Sequence, residues 1–241
     1  MSLSFPSQPL ASRVLGAQLI GLGSVMVLGW AAVRWGGLSA RVIPAATLVF
    51  IAIAVLVLLV CGNAHPFPTF GPANVVTTFR AAVVAFITAL IGATHTDVVA
   101  AIAAGLALGV TVLDGVDGWL ARRTGLASAF GARFDMETDA LLILVLSVLA
   151  WQHEKAGAWV VLAGAMRYLF VGAGYVWRWM NAPLPPSVRR KAVCVVQVVG
   201  LGVIVSPLVS APASVVAAAV TLAALTWSFG VDVLWLRRQV A

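Results

Sequence analysis

Long apolar runs separated by short polar or Pro- and Gly-rich connections make up the chain. Eight runs approach the ~20 mostly apolar residues that carry a helix across a bilayer: Val14–Val33, Val42–Val60, Thr77–Thr94, Val98–Leu120, Phe134–Trp151, Ala156–Trp179, Ala192–Val209 and Val215–Leu236. Thr77–Thr94 is short and holds Arg80, and Phe134–Trp151 opens on charged residues. The first run exceeds the ~7–15 residues of a signal-peptide core, so it reads as a span. The pattern predicts an all-α fold, a polytopic membrane helical bundle. The stretch from Cys61 to Ala73 (CGNAHPFPTFGPA) is rich in Pro and Gly. It divides the chain into an N-terminal transmembrane helix pair, 1–65, and a larger remainder, 66–241. There is no clear internal repeat.

Composition supports this reading. Of 241 residues, 62% are hydrophobic and 10% charged, against ~45–50% and ~25% in soluble domains. Soluble, disordered, collagenous and disulfide-framework proteins are excluded. The formal charge of +7 does not indicate a nucleic-acid partner, because the basic residues are scattered between apolar stretches. They read instead as topology signals. With eight spans, Arg13, Arg122, Arg123, Arg133, Arg178, Arg189, Arg190, Lys191, Arg237 and Arg238 fall on one side, expected to be the cytoplasmic face of a bacterial inner membrane. Arg34 and Arg41 fall on the other. Trp30, Trp35, Trp119, Trp151, Trp177, Trp179 and Trp235 lie near span ends, as an aromatic belt requires. Gly105 and Gly109, four apart, read as helix-packing positions.

The acidic residues carry the chemistry. Five of the eight lie between Asp114 and Asp139. Asp114 and Asp117 are three apart at the end of one span, and Asp135 and Asp139 are four apart at the start of the next. Such spacings share a helix face, and the connection returns both ends to one membrane surface. Four carboxylates then converge near the water interface, where like charges repel by several kcal/mol at an effective dielectric of ~20. An all-oxygen site of this kind suits Mg²⁺ or Mn²⁺. Four carboxylates can hold two ions, the arrangement that clamps entering and leaving oxygens in phosphoryl chemistry. Gly118 and Ala121 leave one face almost bare for a planar group, Gly131 does the same on the partner element, and Arg122 offers a fork suited to phosphate.

These residues stand as Asp114-Gly-Val-Asp117-Gly118-Trp-Leu-Ala121-Arg122, eight residues, then Gly131-Ala-Arg-Phe-Asp135-Met-Glu-Thr-Asp139. The stretch resembles the CDP-alcohol phosphotransferase signature, D-x-x-D-G-x-x-A-R, a spacer, G-x-x-x-D-x-x-x-D, at all eight positions. Pro72-Ala-Asn74-Val-Val-Thr77-Thr-Phe-Arg80 resembles the N-x-x-T-x-x-R stretch of several members. The resemblance implies a six-helix catalytic core from about Asn74 to Arg238, preceded by two additional helices. It implies transfer of the phosphatidyl group of CDP-diacylglycerol to the hydroxyl of a small polar alcohol, releasing CMP, in phospholipid biosynthesis. By position, Asp114, Asp117 and Asp135 would bind metal, and Asp139 would complete the site and act as base. Gly118, Ala121, Arg122 and Gly131 would line the cytidine-diphosphate site, and Asn74, Thr77 and Arg80 would contact the diphosphate. The resemblance also implies a homodimer.

The acceptor stays open. Phosphorylated acceptors need extra cations, and several members carry a basic residue directly after the last aspartate, where this chain has Ala140. Arg133, Arg167, Arg189, Arg190 and Lys191 are the candidates, Arg167 foremost because it lies inside a span and needs a partner. An internal ion pair is its equal alternative. His65, His95 and His153 lie in connections without ligand spacing, and zinc patterns, a nucleophile elbow and a Walker loop are absent. Two other classes compete. An intramembrane Mg-dependent prenyltransferase normally has two distant Asp-rich motifs, whereas Asp97 and Asp232 read as isolated. A divalent-cation transporter normally places its site near the midplane.

Overall fold

The computed structural model describes residues 8–239. Among them are eight α-helices and no strand: α1 Gln8–Gly36, α2 Val42–Ala64, α3 Pro72–Thr88, α4 Asp97–Thr124, α5 Ala129–Gln152, α6 Val161–Val176, α7 Val188–Val205 and α8 Ala213–Arg238. Short 3₁₀ turns at Ala158–Val160 and Arg178–Asn181 flank α6. Each apolar run became one helix, so the all-α, polytopic expectation holds. Residues 1–7, which open the predicted 1–65 segment, lie outside the described residues.

Five stretches are long and apolar enough to cross a membrane: Leu10–Gly36, Val42–Gly62, Asp97–Thr124, Ala158–Val176 and Ala213–Arg238. This marks an integral membrane protein. The other three helices fall short for visible reasons. α3 has 17 residues, α5 carries Arg133, Asp135, Glu137 and Asp139 in its first half, and α7 opens on Arg189, Arg190 and Lys191. Large apolar side chains lie exposed on the long helices, among them Leu19, Leu48, Leu56, Val112, Leu169 and Val220. An all-round apolar helix is what a lipid environment selects. Trp30, Trp35, Trp119, Trp151 and Trp177 are exposed near helix ends.

Two compact units divide within α5, Met1–Asp139 and Ala140–Ala241. In the first, α1 and α2 pack on each other and both pack on α3, which packs on α4. Leu10, Val14 and Ala17 of α1, Val57 and Cys61 of α2, Phe70 and Ala81, and Phe130 and Phe134 of α5 form one buried cluster. Local chemistry sets the helix ends. Gly71 at φ 79° precedes Pro72, whose ring suits a first helical position. The Thr96 side chain caps α4 by accepting from Val99 N at 3.3 Å. Gly125 at φ 67° ends α4 in the left-handed conformation.

In the second unit α7 packs on α8, with Gly200 seated against Thr221. Asp232 of α8 accepts from Arg189 Nη2 at 2.5 Å and from Arg190 Nη1 at 3.3 Å. Arg189 also bonds Ser228, and its guanidinium lies 5.7 Å from the Trp227 ring. Asp232 is therefore paired, contrary to its isolated look in the sequence. Gly105 and Gly109 differ from expectation too: a Cβ at either would meet nothing within 4 Å, so neither is held by close packing. One glycine that packing does require is Gly164, whose added Cβ would overlap the Leu144 backbone. Gly164→Ala is expected to cost about 1–3 kcal/mol, the usual penalty of overpacking. Gly105→Ala, which meets no such clash, should be neutral or stabilising by up to about 1 kcal/mol. Melting temperatures of both variants in detergent check the contrast.

Candidate functional site

Three helices of the first unit supply the site. Asn74, Thr77 and Arg80 follow one another at three-residue steps and share a face of α3. Asp114 and Asp117 come from the last part of α4, and Asp135 and Asp139 from the first part of α5. The four-residue connection 125–128 turns the chain so that both helix ends meet.

All four aspartates converge on one guanidinium. Arg80 is fully buried, at 0% exposure. Its Nη1 donates to Asp117 and Asp135, and its Nη2 donates to Asp139 and, at 2.9 Å, pairs with Asp114. Asp117 is also buried and accepts from Thr77 Oγ1 at 3.1 Å. Burial is graded across the cluster. The side chains of Asp114, Asp135 and Asp139 keep 31%, 38% and 19% of their exposure, so these three can be reached from outside while Asp117 and Arg80 form the floor.

One guanidinium leaves three of the four negative charges unbalanced. Two like charges at 4 Å repel by about 4 kcal/mol at an effective dielectric of ~20. Asp114, Asp135 and Asp139 each offer an oxygen, and these atoms lie within 4.8 Å of one another. A hard, all-oxygen donor set with surplus negative charge fits a divalent cation such as Mg²⁺ or Mn²⁺.

The other expected residues are found as follows. Gly118 and Ala121 are half-buried on α4, and Gly118 has only Arg122 Nη1, at 3.4 Å from an added Cβ, beside it. Arg122 is exposed. Gly131 is not an open surface: an added Cβ would lie 2.7 Å from Asn74 Oδ1 and 3.3 Å from Ser128 Oγ. Its bareness lets α5 close on α3. Asn74 is buried and donates to the Phe70 carbonyl at 2.5 Å. Arg133 is exposed on α5, and Glu137 is half-buried. Arg167, Arg189 and Lys191 belong to the second unit. Arg167 is half-buried on α6, Lys191 is exposed, and Arg189 is engaged by Asp232 and Ser228.

Sequence reasoning assigned Arg80 to a diphosphate and missed its bonds to the carboxylates. The signal was present. Arg80 is the sole basic residue between Arg41 and Arg122, and an arginine inside an apolar helix needs an acidic partner. Also missed was His65, which is buried and bonded to Ser128 and Thr69. Its lone position in a connection gave no sign of this.

Removing the guanidinium leaves buried carboxylates facing one another. Arg80→Leu is expected to cost about 3–5 kcal/mol, read as a lowered melting temperature or loss of monodisperse protein. Asp117→Asn in the same background should recover part of the loss.

No solved structure matches the chain. A family model described as CDP-alcohol phosphatidyltransferase matches residues 70–230, about two thirds of the chain. The match begins just before α3 and ends within α8, so it takes in all four aspartates and Arg80. This chain belongs to the CDP-alcohol phosphatidyltransferase family.

Proposed function

We propose that the protein transfers the phosphatidyl group of CDP-diacylglycerol to the hydroxyl of a small polar alcohol and releases CMP. Membership of the family makes it a transferase of phospholipid synthesis acting on a CDP-linked alcohol, and the family is in general metal-dependent. The finer reading is supported above all by one observation: three partly exposed carboxylates with oxygens within 4.8 Å of one another, above a buried arginine.

Asp114, Asp117, Asp135 and Asp139 would hold Mg²⁺ or Mn²⁺, two ions in this reading. When bound, such ions neutralise diphosphate charge and improve CMP as a leaving group. The chain's own groups do the rest. The acceptor hydroxyl oxygen forms a bond to the phosphatidyl phosphorus, the bond from that phosphorus to the CMP oxygen breaks, and the hydroxyl proton goes to an Asp139 carboxylate oxygen. Arg80 holds Asp139 through Nη2, which fixes the direction from which the base can work. Thr77 and Arg80 hold Asp117 in the same way. Gly118 and Ala121 leave room on α4 for the cytidine, and the exposed Arg122 suits its phosphates. Asn74 and Gly131, closed on each other, shape the wall beside them.

A substrate with two acyl chains and a nucleotide needs a site at the membrane–water boundary, and charged helix ends sit at such a boundary. We assign that boundary to the cytoplasmic face of a bacterial inner membrane, following the basic residues, and treat 66–241 as the catalytic core behind a helix pair at 1–65. Arg133, Arg167, Arg189 and Lys191 are the cations proposed for an anionic acceptor. Two copies of the chain would form a homodimer.

The decisive assay supplies purified protein with CDP-diacylglycerol, Mg²⁺ or Mn²⁺ and a panel of alcohols, and follows CMP. Release that depends on both cation and alcohol is expected, with complete loss on chelation. Full activity after exhaustive chelation, consumption of a prenyl diphosphate instead, or cation flux into proteoliposomes without lipid product would each overturn the reading. Asp139→Asn should lower turnover by about 10²–10⁴-fold, the range for a lost general base, while CDP-lipid binding persists. Loss of binding in that variant removes Asp139 from the role.

A further inference from the structure

The N-terminal helix pair touches the acidic hairpin through a polar chain that starts at His65. This residue caps α2, its backbone N–H bonded to the Cys61 carbonyl at 3.1 Å. The residue is 7% exposed, and its ring sits edge-on among Phe67, Phe70 and Phe130. Both ring nitrogens are engaged: Nε2 lies 2.8 Å from the Thr69 carbonyl and Nδ1 lies 3.1 Å from Ser128 Oγ. A carbonyl only accepts, so Nε2 carries a proton, and in the neutral imidazole Nδ1 is then the acceptor. Ser128 therefore donates its hydroxyl to Nδ1. The same Ser128 Oγ accepts from Gly131 N at 3.0 Å, and the Ser128 carbonyl accepts from Ala132 N at 3.0 Å. Ser128 thus caps α5, and its hydroxyl direction is set by His65.

These bonds end in the first turn of α5, the helix that carries two of the carboxylates. Gly131 is pressed on Asn74 of α3. Asp135 and Asp139 follow it at one-turn intervals, on the same face of α5. A rotation or slip of the first turn of α5 would carry both aspartates away from Arg80.

We propose that His65 is a positioning residue for the reaction. Through Ser128 it lets α2 set the rotation of α5, and so the placement of Asp135 and Asp139. The first two helices are then working parts of the site and not only additional anchors. This rests on the reading above that the aspartates bind metal and carry out transfer.

The test uses the full-length protein in detergent, with His65→Ala, His65→Asn, His65→Gln and Ser128→Ala. Asparagine keeps an acceptor near the Nδ1 position, whereas glutamine reaches instead toward Thr69. Expected for His65→Ala is a turnover loss of about 10–100-fold, as when support of a metal-site residue is removed, and a raised half-saturating Mn²⁺ concentration. KM for CDP-lipid should stay unchanged. Asparagine should restore most of the turnover and glutamine little, and His65→Ala combined with Ser128→Ala should be no worse than the poorer single variant. Hydrogen exchange gives a readout without turnover: peptides covering 129–139 should lose protection in His65→Ala while those of α8 do not. Unchanged exchange in 129–139 overturns the proposal, and so do additive losses in the double variant or equal recovery by asparagine and glutamine. No CMP release by the wild type, together with the exchange change in His65→Ala, would sink the transfer reading and leave the tether supported.

Discussion

The fold of the first unit depends on a single buried cation. A guanidinium with no exposure is tolerable only where its charge is met, and four carboxylates meet the Arg80 charge. The reverse also holds. Asp117 is buried, and Arg80 and Thr77 donate to its carboxylate there. Two of the carboxylates belong to α4 and two to α5, so α3, α4 and α5 hold one another through charge rather than through apolar packing alone. Burial of ion pairs is weak as a source of stability but strong as a source of geometry: a misplaced helix leaves an unpaired charge, which costs far more than a lost apolar contact. The surplus negative charge then serves the chemistry, because it is what a divalent cation needs.

Smaller features serve the same convergence. Gly125 stops α4 in a left-handed turn, Ser128 starts α5, and only two residues lie between them. Such a short turn leaves little freedom in where α5 begins. Gly131 lets α5 approach Asn74. The N-terminal helices add Leu10, Val14, Val57 and Cys61 to the apolar cluster that receives Phe130 and Phe134. Apolar packing brings the first turn of α5 into place, and polar contacts fix its rotation.

Much of this was legible in the sequence. The eight apolar runs became eight helices, because in a lipid environment hydrophobic length is nearly sufficient to define an element. The aspartate spacing foretold convergence, because three- and four-residue steps fix a helix face. What was hidden involved partners distant in sequence. Arg80 and Asp139 are 59 positions apart, and Arg189 and Asp232 are 43 apart. No local pattern encodes such pairs. The count of charges does give a hint, since each intramembrane charge demands an opposite one. The glycines misled for a related reason. Gly105 and Gly109 have the spacing of a packing motif, yet whether a neighbour arrives is a tertiary fact, and Leu144 arrives at Gly164 instead.

Arg80 also bears on how such a chain is made. Synthesis proceeds from the N-terminus, so α3 leaves the ribosome before any of the four acids it pairs with. Until they follow, its guanidinium is an unmet charge within an apolar segment, which is costly. α3, short and carrying that burden, has little reason to settle in the bilayer by itself. Its charge is met only once α4 and α5 have followed, so these three helices become complete together.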